Sequence, residues 1–281
     1  MYNYNGQIAK SISLDIENNR AFLYGDAVFE TIKVSSGKIL FLEDHYFRLM
    51  SSMRILRMEI PMEFTMEYFD QEIQKLLSSF TKTDSNSYRI RITVFRESAG
   101  LYAPLSKNVH YLMHVKELDT VLYPNNFNGD YEVELFKDYS INPQLLSTLK
   151  STNRMIQITA SIFANENGYN NCLILNTDKN VAEAIDANLF MVIGKTIVTP
   201  PITDGCVAGI LRKELLRLLS KNENYILEER SISAFELQKA DELFLTNAIK
   251  GIQPITKYRK KVFFTKVGLE LFTLLNESLE N

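Results

Sequence analysis

The sequence predicts an α/β or α+β chain of two lobes, and three observations predict it. Its 281 residues are about twice the ~150 residues of a usual domain. Segments with the helical period alternate with segments of strand period. One stretch, residues 119–130, loses both periods and collects Pro, Asn and Gly, which suits a linker. The expected division is a small N-terminal α/β domain over 1–120 and a larger C-terminal domain over 121–281, with a ligand cleft between them.

The elements follow in order. Tyr46, Leu49, Met50, Met53 and Leu56 recur at helical spacing and form one face. Met66, Phe69, Ile73, Leu76, Leu77 and Phe80 make a second such face. Ile90, Ile92 and Val94 then alternate with Arg89, Arg91 and Thr93, the pattern of a half-buried strand, which puts Arg91 on a solvent face. Val109, Tyr111, Met113 and Val115 repeat the two-residue period. Beyond the linker the pattern predicts a strand at 131–137, a helix at 150–166, and strands at 172–176 and 189–199. A helix at 209–221 comes next, then Ser233-x-x-Glu236 as a capping box, a strand at 242–246 and a closing helix over 266–279. No repeat of fixed period and no low-complexity tract is present.

Composition narrows the function classes. Lys and Arg number 31 against 34 Asp and Glu, a net charge of -3, without the basic excess that a nucleic-acid partner needs. Two cysteines, Cys172 and Cys206, make no disulfide framework and no CxxC pair, and Cys172 opens an apolar run as a small buried hydrophobe. His110 and His114 lie on a strand pattern without an evident third ligand, so no metal site is expected. The N-terminus lacks a cationic segment followed by an apolar one, and no stretch approaches the ~18 apolar residues of a membrane span. A cytoplasmic protein with no membrane partner is the expectation. GxSxG, P-loop and GxGxxG motifs are also lacking.

Three short segments carry candidate chemistry. Gly205-Cys-Val-Ala-Gly209-Ile-Leu-Arg212 leads into an amphipathic helix, whose first N–H groups suit a phosphate at Gly209, Ile210 and Leu211, although a glycine turn before any helix reads the same way. Lys150 opens a predicted helix, where most lysines are solvated surface charges. Glu183 follows within Asn180-Val-Ala-Glu183. A lysine amine, an acid and a phosphate cup are the three parts that a pyridoxal-phosphate site requires. Spacing alone does not bring them together.

The run Arg20-Ala-Phe-Leu-Tyr24-Gly25-Asp26-Ala-Val-Phe29-Glu30-Thr31 resembles the opening signature of class IV aminotransferases, the fold-type IV pyridoxal-phosphate enzymes. The resemblance continues collinearly through His45-Tyr-Phe-Arg48-Leu49, Lys150-Ser-Thr-Asn153-Arg154, Glu183 with Asn188-Leu-Phe190, Thr199-Pro-Pro, Gly209-Ile-Leu-Arg212 and Phe244-Leu-Thr246-Asn247-Ala248. It implies a two-domain fold like that of D-amino-acid aminotransferase, with pyridoxal 5'-phosphate in the cleft, and a homodimer acting on a small amino substrate.

By the same resemblance Lys150 is the Schiff-base lysine that shuttles a proton. Glu183 keeps the pyridine nitrogen protonated, so that the ring draws electrons. Arg48 clamps the cofactor phosphate as a charge-assisted fork. The Gly209, Ile210 and Leu211 backbone completes the phosphate cup, where relatives often carry a hydroxyl in place of Leu211. Asn247 falls among the cofactor-binding positions. Tyr24, Phe29, Arg96 and Ala248 fall among the substrate-binding ones, and Thr31 lies near the reacting atoms. Arg20 and Asp26 brace the turn.

Within the family, Lys150-Ser-Thr-Asn153-Arg154 and Thr246-Asn247-Ala248-Ile249-Lys250-Gly251-Ile252 resemble aminodeoxychorismate lyases more than branched-chain transaminases. The Arg-x-His signature of D-amino-acid aminotransferases is missing around Arg96. The resemblance thus implies conversion of 4-amino-4-deoxychorismate to 4-aminobenzoate and pyruvate, a step towards folate. A transaminase using branched-chain or D-amino acids with 2-oxoglutarate is the alternative. A non-catalytic binder that kept the fold is the third reading.

Overall fold

A computed structural model describes residues 1–80 and 86–280. The chain divides into two compact units. The first comprises Met1–Val121 with Leu149–Asn153, and the second Leu122–Thr148 with Arg154–Asn281. The aperiodic segment 119–130 is therefore shared between them, and the five residues around Lys150 belong with the N-terminal unit.

The first unit contains β1 (Tyr2–Tyr4), β2 (Gln7–Ala9), α1 (Arg20–Tyr24), β3 (Ala27–Ser35), β4 (Lys38–Ile39), α2 (Leu42–Ile55), α3 (Met66–Ser79), β5 (Ser87–Arg96) and β6 (Val109–Glu117). Its six strands form one sheet in the order β2-β1-β6-β5-β3-β4. The pairs β3–β5 and β5–β6 are antiparallel, with Phe29 opposite Thr93, Thr31 opposite Arg91, and Lys33 opposite Arg89.

Alternation sends Val28, Ile32, Ile90, Ile92, Val94 and Met113 to one face, where they pack with Leu49, Met53, Phe69, Ile73 and Leu76 of α2 and α3. The Thr65 side chain accepts from the Tyr68 N–H at the start of α3 and caps it. Phe69 and Ile73 are buried, and truncating such a residue to Ala costs about 3 kcal/mol. The opposite face carries Phe29, Thr31, Lys33, Arg89 and Arg91.

The second unit contains β7 (Glu132–Ile141), α4 (Met155–Glu166), β8 (Asn171–Asn176), β9 (Val181–Ala184), β10 (Asn188–Ile193), β11 (Thr196–Thr199), α5 (Ile210–Leu219), β12 (Ile226–Glu229), β13 (Glu242–Asn247), β14 (Gly251–Ile255), β15 (Lys257–Tyr258), β16 (Lys261–Val262) and α6 (Lys266–Glu280). Two five-stranded sheets, β16-β15-β7-β8-β9 and β12-β11-β10-β13-β14, share a core of Val133, Leu173, Val181, Leu189, Met191 and Leu243. Helix α4 connects the parallel strands β7 and β8 and buries Ala160 and Ala164 against Phe136, Cys172 and Ile174.

Three predicted elements change. The helix expected from residue 150 starts at Met155, because the backbone at 150–152 is committed to β3. The strand expected over 189–199 is a hairpin, β10 and β11, turning at Gly194 with φ of 59°. Ser233 and Glu236 make one half of the capping box, with the Glu236 carboxylate accepting from the Ser233 N–H at 2.9 Å.

Candidate active site

Lys150 sits on an extended segment stitched to β3. The Phe29 N–H donates to the Lys150 carbonyl at 2.8 Å, and the Thr152 N–H donates to the Ala27 carbonyl at 3.0 Å. Asn153 Nδ2 and Thr152 Oγ1 both donate to the Gly25 carbonyl at 3.0 Å. Gly25 is left-handed, with φ of 62°, and a Cβ there would stand 2.5 Å from Asn153 Oδ1. Glycine is needed at that position on both counts. Two short stretches about 125 residues apart in sequence thus hold each other, and the lysine is aimed by them.

The Lys150 Nζ lies 4.9 Å from the centre of the Phe29 ring, and the Arg91 Cζ lies 3.8 Å from it. This corrects the solvent-face reading of Arg91: it is half-buried and stacked on an aromatic ring two residues from Thr31 on the same sheet face. Arg96 is engaged differently. Its guanidinium donates to the Asp26 carboxylate and the Leu56 carbonyl. Asp26 also accepts from Arg20 Nε at 2.9 Å, and Arg20 donates onward to the carbonyls of Gly100, Leu101 and Tyr102. Arg20, Asp26 and Arg96 brace the turn, and Tyr24 lines a cavity with them. The arginine that shares Phe29 with Lys150 is Arg91.

Arg48 reaches a partner that the sequence does not advertise. Its Nε donates to Glu30 Oε1 at 2.7 Å and its Nη2 to Glu30 Oε2, so the fork closes on a protein carboxylate. His45 Nδ1 binds the same Oε2 at 2.6 Å. Glu30 and His45 are each 1% exposed. Burial pushes the Glu30 carboxyl up, but Arg48 and then His45 overcome it and bring it down to about 2. Burial pulls His45 down against the attraction of Glu30, with Arg48 and Lys150 adding to the fall. His45 is therefore neutral at pH 7, and Glu30 with Arg48 forms the charged pair.

In the second unit Glu183 on β9 is buried, and both its oxygens are held. Gln157 Nε2 on α4 donates to Oε1 at 3.0 Å, and the Val207 N–H donates to Oε2 at 2.8 Å. Asn188 Nδ2 donates to the Val207 carbonyl at 2.9 Å, which fixes the loop leading to Gly209. Gly209 is the N-cap of α5 and supplies no side-chain cap, so the first-turn N–H groups of Ile210 and Leu211 have no acceptor within the helix. A Cβ on Gly209 would run into Asn188 Oδ1.

Asn247 is tied into its own turn: its Nδ2 donates to the Asp186 carbonyl at 2.7 Å, and its Oδ1 accepts from the Ile249 N–H at 2.8 Å. The Ala248 carbonyl accepts from Tyr123 Oη. Gln157, Glu30 and His45 are the neighbours of these residues to which sequence reasoning gave no role. A charge at a core-facing position of β3 was the available signal for Glu30.

An anchored lysine, a buried acid with oriented oxygens, and an uncapped helix start kept open by glycine fit pyridoxal phosphate part by part. The amino-transferase class IV family model matches residues 27–258. The chain belongs to the class IV aminotransferase family. It is accordingly a pyridoxal-phosphate enzyme, with the mixed α/β fold of the fold-type IV group.

This class IV aminotransferase-family enzyme resembles both arms of its family. It is 29% identical over 240 residues to branched-chain-amino-acid aminotransferase-like protein 2 of Arabidopsis thaliana, covering 85% of this chain and 42% of that protein. The chain thus spans less than half the length of that relative. It is 27% identical over 250 residues to the aminodeoxychorismate lyase of Vibrio harveyi, with 85% of each chain covered. The crystal structure of 4-amino-4-deoxychorismate lyase from Pseudomonas aeruginosa superposes with a TM-score of 0.85, at 26% identity over 100% of both chains. Among the described residues no helix is long and apolar enough to cross a membrane.

Proposed function

We propose that this enzyme is a 4-amino-4-deoxychorismate lyase, releasing 4-aminobenzoate and pyruvate. The observation that carries the reading is the lock on the lysine segment. Asn153, from the Lys-Ser-Thr-Asn-Arg motif that leans towards lyases, bonds the Gly25 carbonyl at 3.0 Å. The motif therefore performs a physical task here, aiming Lys150 along the sheet face that carries Phe29 and Thr31.

When bound, pyridoxal phosphate supplies the electron sink that stabilises negative charge developing on the substrate carbon. Lys150 holds the cofactor and then acts as base: its Nζ accepts the proton from the amine-bearing ring carbon. The electron pair left behind restores conjugation, the C–O bond to the enolpyruvyl group breaks, and the departing enolate is protonated to pyruvate. Phe29 walls the lysine from one side, with its ring centre 4.9 Å from Nζ. Glu183, pinned by Gln157 and Val207, keeps the pyridine nitrogen protonated. The Gly209–Leu211 backbone would receive the phosphate. We place the enzyme in the cytoplasm as a homodimer with a small amino substrate.

The test is incubation of pure protein with 4-amino-4-deoxychorismate. Equal amounts of 4-aminobenzoate and pyruvate are expected, with none from Lys150→Ala. Absence of product above that control sinks the lyase assignment. The similarity to the Arabidopsis aminotransferase-like protein favours a transaminase as the second reading. Conversion of the cofactor's absorbance band to the amine form by a branched-chain or D-amino acid would support it.

A further inference from the structure

Two turns of the second unit meet at a carboxylate that the proposed chemistry does not use. The β9–β10 turn leads from Glu183 to Asn188 and is tight, with the Ala184 N–H donating to the Ala187 carbonyl at 2.8 Å. The β13–β14 turn carries Asn247, Ala248 and Lys250. The two turns are neighbours because Asn188 is directly opposite Thr246 in the β10–β13 pair.

Asp186 joins them. Its carbonyl accepts from Asn247 Nδ2 at 2.7 Å, and its carboxylate Oδ2 accepts from Lys250 Nζ at 2.6 Å. The other carboxylate oxygen, Oδ1, accepts from Asn171 Nδ2 at 3.1 Å. Asn171 is 3% exposed, and its own Oδ1 accepts from the Ile185 N–H at 3.1 Å, so β8 braces the first turn from beneath. Asn247 Oδ1 accepts from the N–H groups of Ile249 and Lys250, which commits its whole amide to the junction.

An exposed ion pair usually contributes little, because two mobile side chains must be ordered to form it. Lys250 and Asp186 are 55% and 39% exposed at the side chain, but Asn171 already holds Asp186, and pairing orders only the lysine. Burial lowers Lys250, yet Asp186 outweighs it and raises the amine above its ordinary value, so the pair is charged at pH 7. The turn that it fixes has both ends on one loop. Glu183 Oε2 accepts from the Val207 N–H, and Asn188 Nδ2 donates to the Val207 carbonyl. A displacement of Asp186 therefore acts on Glu183 and on the approach to Gly209 together.

We propose that Asp186 and Lys250 are positioning residues whose ion pair locks the turn behind Glu183 to the turn at Asn247 and Ala248, so that the acid and that backbone hold one fixed separation. The proposal rests on Glu183 as the acid that keeps the pyridine nitrogen protonated, and its test does not need lyase turnover.

Two quantities are measured on the wild type, Lys250→Met, Lys250→Arg and Asp186→Asn. The first is the dissociation constant of pyridoxal phosphate from the stripped and reconstituted holoenzyme. The second is the pH midpoint at which the absorbance band of the bound cofactor shifts. Lys250→Met and Asp186→Asn are expected to weaken binding about three- to fivefold, the upper range for an exposed pair. Their absorbance midpoint should rise by about 0.3–0.7 pH unit, the same factor on a logarithmic scale. The sign follows from Glu183: a looser acid leaves less positive charge on the ring, and the lysine-linked nitrogen then keeps its proton to higher pH. Lys250→Arg retains the charge and should restore both values to within about twofold of the wild type.

Binding and midpoint unmoved in Lys250→Met and Asp186→Asn overturn the proposal, including the case where thermal stability alone falls, which marks a merely structural pair. A Lys250→Arg that behaves like Lys250→Met also overturns it. Glu183→Gln is the control. If it leaves the midpoint unmoved, the Glu183 reading falls and this proposal with it; if it moves the midpoint while Lys250→Met does not, the proposal falls alone. A protein that passes this test and yields no 4-aminobenzoate loses only the lyase reading.

Discussion

Replacing Glu30 with Gln removes the charge that Arg48 grips while preserving shape. The carboxyl falls from 4.5 to about 2. At 1.36 kcal/mol per pH unit that is roughly 3 kcal/mol of stability held by the ionised group at pH 7. Glu30 and Arg48 are 2% and 12% exposed at the side chain, so little solvent screening reduces it. Because the folded-state pKa is depressed, the contribution is complete above about pH 4.5 and disappears as pH falls towards 2. Urea unfolding followed by far-UV circular dichroism, at steps from pH 7 to pH 3, measures both effects. Glu30→Gln should be less stable by roughly 3 kcal/mol at pH 7, with the gap to wild type narrowing below pH 4.5. A gap under about 1 kcal/mol at pH 7, within the range of an exposed pair, or a gap that does not change with pH, refutes the reasoning.

Three further perturbations have defined outcomes. Gln157→Leu removes one of the donors that orient Glu183 and should weaken pyridoxal-phosphate retention on dialysis about tenfold, a hydrogen bond to a charged group being worth that much; unchanged retention would mean that Val207 suffices. Gly209→Ala drives a methyl into Asn188 and should cost about 1–3 kcal/mol in thermal unfolding together with weaker cofactor binding, whereas a neutral result would show that the Asn188–Val207 contact shifts freely. Gly251→Ala, at φ of 75° and with Tyr123 Cβ 2.7 Å from the added carbon, should destabilise by about 1–3 kcal/mol. Gly129→Ala, with nothing within 4 Å, should stay within about 0.5 kcal/mol, and equal losses in the two would discredit the steric argument.

The helical faces of α2 and α3 and the alternation in β5 and β6 were legible in the sequence, because a local period reports directly which residues face a core. The lysine, the acid and the helix start were legible as motifs, in order along the chain. What the sequence by itself determined about this protein is therefore its local elements and its family. The tertiary structure alone decided that Lys150 stands on an extended segment and not in a helix, since the Phe29 N–H and the Ala27 carbonyl reach it from more than a hundred residues away. It decided too that Arg48 is gripped by Glu30, and that Arg91 and not Arg96 lies on Phe29. Ion pairs, stacking and strand register between distant residues leave no period in the chain, and only the closed fold brings those partners within reach.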